Sequence, residues 1–312
     1  MASGKPYLIV NPASAAGKTG RHFDRIAKAV RSAVGAFECA FTRWRGEATE
    51  LAKQAVRSGG RFVVAVGGDG TASEVIDGLI TSGKPIDPDV LFGCIPRGTG
   101  GDLRRTLGWS MDPDEAARTL VEGTVRVCDV GRVEYVGHDG KRHARHFANA
   151  AGCGVSGVVV AEAEKGWKVL GGKLGFMLAS ARGLLGYRDQ PIRWRADEGE
   201  WHEERVTSLE VCNGRYFGGG MMVAPDARID DGLLDVTVWK GFGFSDFITK
   251  KGMLYDGSHV KLPNTYICKA RVVEVEPLEG ARVLLEADGE QPGVVPARFT
   301  IVPGALKLKV RS

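Results

Sequence analysis

Over roughly the first 120 residues, short unbroken apolar runs alternate with longer segments of helical periodicity. Tyr7-Leu8-Ile9-Val10, Phe37 to Thr42, Phe62-Val63-Val64-Ala65-Val66 and Val90 to Pro96 read as strands, because runs this short and apolar suit a sheet covered on both faces. Between the first two, Phe23, Ile26, Ala27, Val30 and Val34 recur at helical spacing, with Arg21, Arg25, Lys28 and Arg31 on the solvated face. Gly46 to Val56 predicts a second helix, and Ser73, Val75, Ile76 and Leu79 a third. Asp112-Pro113-Asp114-Glu115 opens a further helix with acids in its first turn, ending near Gly123. Strand–helix alternation predicts a parallel, doubly wound sheet, whose ligands collect at the carboxyl ends of the strands.

From about Val125 the pattern changes. Val125 to Tyr135, His143 to Ala150, Val206 to Cys212, Leu233 to Trp239, Arg271 to Val275, Arg282 to Glu286 and Phe299 to Val302 are short apolar runs separated by turns, the texture of an antiparallel β-sandwich or barrel. The expected domains are therefore 1–125, α/β, and 126–303, β-rich. Leu306-Lys307-Leu308-Lys309-Val310 alternates as a final strand. Trp167 to Tyr187 carries Leu170, Leu174, Met177, Leu178, Ala181, Leu184 and Leu185 at helical spacing among Lys168, Lys173, Arg182 and Arg188. A basic helix of this kind either packs on its own domain or lies on an anionic bilayer.

Composition narrows the classes. A chain of 312 residues with 43% hydrophobic and 26% charged residues has ample core for two domains. Its formal net charge of +4 is too small to argue for nucleic acid. Six cysteines are scattered without CxxC spacing, so neither a zinc site nor a disulfide framework is indicated, and a reducing cytoplasm fits. No leader-like apolar segment and no apolar run of about 18 residues occurs, which leaves peripheral membrane contact.

Candidate chemistry sits where strands end. Gly67-Gly68-Asp69-Gly70-Thr71 closes the 62–66 strand and opens a helix bearing Glu74. Backbone N–H groups of such a loop suit phosphate, and a carboxylate beside phosphates makes sense with a divalent cation between them. Arg97-Gly98-Thr99-Gly100-Gly101-Asp102 repeats the arrangement after the next strand, although Asp102 could equally cap a helix. Gly17-Lys18-Thr19 is not a P-loop, since the required glycine five places earlier is Pro12. Gly152-Cys153-Gly154-Val155-Ser156-Gly157 matches GxGxxG, but no βαβ unit or following acid supports a dinucleotide site.

The glycine loops resemble those of the diacylglycerol kinase, sphingosine kinase and NAD kinase superfamily, whose fold is related to 6-phosphofructokinases. Asn11-Pro12-Ala13-Ser14-Ala15 is similar to the family's Asn-Pro-x-Ser-Gly element, with Ala15 and Ala16 where glycines are common. The resemblance implies ATP held by Asn11 and the backbone of Pro12, Ala13, Ser14 and Ala15, by Thr42, by Gly67, Gly68, Asp69, Gly70, Thr71 and Glu74, and by Gly98, Thr99 and Asp102. The second loop resembles P-x-G-T-x-N-D-(hydrophobic)-A-R, except that Gly101 replaces Asn and Arg104 replaces Ala. Gly218-Gly219-Gly220 through Ala224-Pro225 to Asp231-Gly232-Leu233-Leu234-Asp235 resembles the lipid kinase signature, which NAD kinases do not share in this form. It implies a structural Mg2+ on the Asp231 carboxylate and the carbonyls of Arg228 and Leu233, where the same letters also make an ordinary hairpin.

Asp288-Gly289-Glu290 resembles the family's late D-G-E motif and implies Glu290 as general base, with Asp288 beside it sharing metal or hydroxyl contacts and Asp69 completing the catalytic carboxylates. By resemblance, residues 304–312 return to the first domain. The implied activity is ATP- and Mg2+-dependent phosphorylation of a lipid hydroxyl, on diacylglycerol or a sphingoid base, by a cytoplasmic, peripherally membrane-associated enzyme, with a homodimer as the candidate assembly. A kinase for a soluble hydroxyl compound such as NAD, or an inactive nucleotide-binding regulator suggested by Gly101, are the alternatives.

Overall fold

The computed structural model describes residues 5–98, 100–165 and 172–311. The chain divides into two compact units, Met1–Val130 with Val302–Ser312, and Gly131–Ile301.

The first unit contains β1 (Tyr7–Val10), α1 (Lys18–Arg21), α2 (Phe23–Val34), β2 (Glu38–Phe41), α3 (Glu47–Arg57), β3 (Phe62–Gly67), α4 (Asp69–Leu79), a small hairpin of β4 (Ile80–Thr81) and β5 (Lys84–Pro85), β6 (Leu91–Pro96), α5 (Asp102–Leu107) and α6 (Pro113–Glu122). The sheet runs β2-β1-β3-β6 with every pair parallel, and Lys307 and Leu308 add parallel to Leu91 and Phe92 beyond β6. All six residues of β3 and all six of β6 are buried. That double-sided covering is why both read as unbroken apolar runs. The edge strand β2 is mostly exposed. Ile26, Ala29 and Val30 of α2 pack with Leu8, Val10, Val64 and Val66. Asp112 starts α6 as expected, its Oδ1 accepting the N–H groups of Asp114 and Glu115 at 3.0 Å each.

The second unit is antiparallel. β7 (Thr124–Gly137) leads into it, followed by β8 (Arg142–Phe147), β9 (Ala150–Gly154), α7 (Val155–Glu164), α8 (Gly172–Leu184), β10 (Gln190–Ala196), β11 (His202–Val206), β12 (Ser208–Cys212), β13 (Leu234–Trp239), α9 (Phe244–Asp256), β14 (Thr265–Ala270), β15 (Val272–Pro277), β16 (Leu284–Ala287) and β17 (Glu290–Val310), which leaves it again. One layer has the order β14-β13-β12-β9-β16-β17, and a second runs β11-β10-β15-β17. Phe147, Trp194, Leu209, Val236, Leu285 and Phe299 belong to the core they enclose. The expected strand over 206–212 is two strands, parted at Thr207. The Gly152–Gly157 segment does pass from strand to helix, but β9 is antiparallel to both neighbours, so it opens no βαβ unit.

Of the basic helix expected over 167–187, positions 167–171 lie outside the described residues. α8 begins at Gly172, and its Ala179 and Leu184 are buried against Val159 of α7 and Phe247 and Leu254 of α9. The described part therefore packs on its own unit. Among the described residues no helix is long and apolar enough to cross a membrane.

Two carboxyl groups lie inside the second unit. Glu210 of β12 and Glu286 of β16 are both opposite Gly152 of β9, one on each side, and both are 0% exposed. Burial pushes the Glu210 carboxyl up to about 8, against the opposing pull of hydrogen bonds from Ser208 and Ser156. Burial, and then the charge of Glu210, also push Glu286 well up. A carboxyl raised on folding stabilises fully below its ordinary value, and that contribution is lost as pH rises through the folded value. The Tm is therefore expected to fall by several degrees between about pH 5 and 8, and the fall to flatten in Glu210→Gln, which a thermal melt series across that range checks.

Candidate functional site

In the first unit the site is built by strand ends. β3 stops at Gly67, Gly68 stays extended (φ −86°, ψ −174°), and α4 begins at Asp69. β6 ends at Pro96, and the Arg97 N–H donates to the Gly67 carbonyl at 2.6 Å, stitching the two glycine loops together. They meet backbone to backbone, since a Cβ on Gly98 would lie 2.6 Å from the Gly68 Cα. Across this contact Asp69 Oδ2 accepts the N–H groups of Gly101 at 2.6 Å and Asp102 at 3.0 Å. The start of α5 is thus capped from the other loop. Asp102 is not the cap; it is the first residue of α5, preceded by Gly101 at φ 72°, and its Oδ1 accepts from Arg105 Nη1 at 2.9 Å.

The other expected nucleotide residues divide. Asn11, directly after β1, donates from Nδ2 to Thr71 Oγ1 at 3.0 Å and accepts the Ala13 N–H on Oδ1 at 3.0 Å, so it joins the first turn to the glycine loop. Pro12, Ala13 and Ser14 form that turn, with Ser14 Oγ donating to the Asn11 carbonyl at 2.9 Å. Thr42 follows β2, its N–H donating to the Val10 carbonyl at 2.9 Å, and so lies at the same edge of the sheet. Glu74 does not turn to the loop: its Oε2 accepts the Ala48 N–H at 3.3 Å, in the first turn of α3. Its spacing of five from Asp69 points it to another side of α4. Thr99 lies outside the described residues.

Ala15 and Ala16 adopt φ 53° and 55°, the left-handed conformation that glycine takes without a Cβ clash. Ala16→Gly is expected to stabilise the chain by about 1 kcal/mol, the relief of that clash exceeding the entropy cost of glycine. Chemical denaturation with an unchanged m-value reads this as a higher midpoint.

In the second unit, Glu290 opens β17 and its Oε2 accepts from Arg145 Nη1 of β8 at 2.8 Å, both side chains largely shielded. Asp288, at φ 48°, turns inward: its carboxylate accepts the N–H groups of Ala148 at 2.7 Å, Asn149 at 3.0 Å and Ala150 at 3.1 Å. Three backbone donors on one carboxylate make Asp288 a brace for the 148–150 segment. Glu286 Oε2 accepts the Gly289 N–H at 3.0 Å and steadies the turn from below.

The D-G-x-L turn forms, with Asp231 Oδ1 accepting the Leu233 N–H at 3.2 Å. Asp231 Oδ2, however, accepts from Lys269 Nζ at 3.0 Å, and the same ammonium reaches Asp235 Oδ2 at 2.8 Å. Burial opposes the charge on Lys269, but the bonds to Asp235 and Asp231 outweigh it and raise the ammonium above its ordinary value. A cation thus already occupies the Asp231 carboxylate, and the Arg228 side chain pairs with Asp230. Among the described residues no group of three or more His, Cys, Asp or Glu converges to hold a metal. The expected ligand set there is one carboxylate with the main-chain carbonyls of Arg228 and Leu233, and in this structure the Lys269 ammonium holds that carboxylate. Arg145 and Lys269 carry no sequence signal for these roles.

A family model described as the diacylglycerol kinase catalytic domain matches residues 5–133, and one described as the YegS C-terminal NAD kinase beta sandwich-like domain matches residues 149–310. The chain belongs to the diacylglycerol kinase-like lipid kinase family. It is similar to a diacylglycerol kinase of Bacillus subtilis, 28% identical over 94% of this chain and 91% of that one. It is likewise similar to a probable lipid kinase YegS-like protein of Pseudomonas aeruginosa, 31% identical over 84% and 81%. A crystal structure of a diacylglycerol kinase from Bacillus anthracis shares the fold, with a TM-score of 0.72 at 24% identity over 98% of this chain and 97% of that one. The chain is accordingly a kinase with a lipid-type substrate.

Proposed function

We propose that this lipid kinase transfers the γ-phosphoryl group of ATP to a hydroxyl of diacylglycerol or a sphingoid base. The observation that carries the reading is the backbone contact of Gly68 with Gly98, which lines up two glycine loops at the carboxyl ends of parallel strands. Their N–H groups and the start of α4 suit a polyphosphate. A carboxylate fixed by two backbone donors, as Asp69 is, supplies a hard oxygen donor that fits Mg2+. Mg2+ held there with the nucleotide would neutralise charge on the phosphate oxygens.

Glu290 takes the proton of the acceptor hydroxyl as the phosphoryl group arrives, with Arg145 fixing the carboxylate's direction. Asn11 and Thr71 hold the first glycine loop in register. Within the second unit, Val159, Leu184, Met221, Trp239, Phe247 and Leu254 line an apolar cavity whose floor is polar at Ser156, Ser208 and Glu210. Its walls suit an acyl or alkyl chain. A membrane surface in the cytoplasm is the place where such an acceptor would be met.

Transfer of labelled γ-phosphate from ATP with Mg2+ to a panel of diacylglycerol, sphingosine, ceramide, phosphatidylglycerol and NAD tests the reading. A labelled diacylglycerol or sphingosine is expected. Labelled NAD, or ATP binding with no labelled product, would overturn it.

A further inference from the structure

The two departures of the second glycine loop from its family pattern meet in space. Gly101 has no side chain, and at φ 72° a Cβ built on it would lie 2.9 Å from Arg104 Nε, 3.5 Å from Nη2 and 3.6 Å from Cζ. The guanidinium of Arg104 therefore fills the volume that a side chain at 101 would claim. It does so as part of a pocket wall shared with Gly67, Gly68, Asp69 and Gly98. Arg104 Nε is buried with no hydrogen-bond partner among the described residues, and Nη1 makes a 3.4 Å bond to the Trp109 carbonyl. Arg105, its neighbour in sequence, is by contrast engaged by Asp102 Oδ1 at 2.9 Å and the Gly100 carbonyl at 2.6 Å. A buried guanidinium N–H without an acceptor is costly unless an anion completes it.

We propose that Arg104 is a phosphate-binding residue of the nucleotide site, and that Gly101 is glycine so that the Arg104 guanidinium can stand over the glycine loops. A planar guanidinium there offers parallel N–H donors to a phosphate oxygen pair, which backbone amides alone do not. This deepens the kinase reading and rests on it for the identity of the ligand as a nucleoside triphosphate. The recognition itself is of a polyphosphate chain, whether free or carried by a nucleoside.

Binding of Mg2+-ATP, inorganic tripolyphosphate and adenosine to the full chain, followed by titration calorimetry, provides the test. Arg104→Ala is expected to weaken ATP and tripolyphosphate by about 10- to 100-fold, the range of a hydrogen bond to a charged group, and to leave adenosine unchanged. Arg104→Lys restores part of the loss. Gly101→Asn alone, which sets a side chain against the guanidinium, weakens both phosphates, whereas Gly101→Asn with Arg104→Ala costs less than the two losses together. Arg104→Ala and Arg104→Lys that both bind tripolyphosphate like the parent chain would overturn the proposal, as would an equal loss for adenosine or strictly additive losses in the double variant. Should the parent chain bind tripolyphosphate through Arg104 yet phosphorylate no acceptor, the kinase reading falls and this one stands.

Discussion

Glu290→Gln is expected to lower kcat by about 10²- to 10⁴-fold while leaving ATP affinity unchanged, the range a positioned general base contributes. The substitution isolates proton transfer because the amide oxygen still accepts from Arg145 Nη1, at 2.8 Å in the parent chain, so the turn and β17 keep their anchor. An acceptor hydroxyl has little nucleophilicity until its proton moves. A phosphoryl transfer that has gained its electrostatic stabilisation from the glycine loops still lacks an acceptor for that proton. Initial rates at saturating ATP and lipid, together with an ATP titration, separate the two contributions. A variant with parental kcat would remove Glu290 from the chemistry, and one that lost ATP affinity would make it a binding residue instead. Asp288 is the informative neighbour: three backbone donors on its carboxylate tie it to stability of the 148–150 segment, so it offers no substitute base when Glu290 is removed.

The α/β half was the more legible in sequence, for a physical reason. Strands buried on both faces, such as β3 and β6, must be apolar throughout, and amphipathic helices must repeat at 3.6 residues. Elements of the second unit escaped where composition worked against them. β9 is Ala-Ala-Gly-Cys-Gly, with no β-branched or aromatic residue, and it pairs because its small side chains admit Glu210 and Glu286 from the strands on either side. β14 places Tyr266 and Ile267 outward on an edge, so no alternation marks it. α9 has too few buried positions, Phe247 and Leu254, to show a periodic stripe.

At the site, the loops were visible because glycine is the residue that lets two backbones touch. What was invisible is who answers each charge. That Asp69 caps α5, that Glu74 faces α3 and that Lys269 holds Asp231 depends on contacts between positions distant in sequence. Only the turn of Glu74 away from Asp69 follows from a local spacing, five residues along α4.

The contact of the two loops itself predicts the largest effect on nucleotide binding. Gly98→Ala places a methyl carbon 2.6 Å from the Gly68 Cα, and neither side can yield by a rotamer change because the obstruction is main chain. Ordinary van der Waals separation requires the loops to part by roughly 1 Å, and misplacement on that scale costs on the order of 10²-fold in kcat/KM. The loss is expected in the KM for ATP as well as in kcat, because both loops contribute to the cradle, while the Tm moves little since neither loop lies in the sheet core. Gly70→Ala is the matching control. A Cβ on Gly70 meets nothing within 4 Å, so the protein tolerates the methyl. Loss of ATP affinity in Gly70→Ala with an unchanged Tm would then report a phosphate resting against that position. If Gly98→Ala kept parental kcat/KM, the paired loops would be a packing solution and not the seat of the triphosphate.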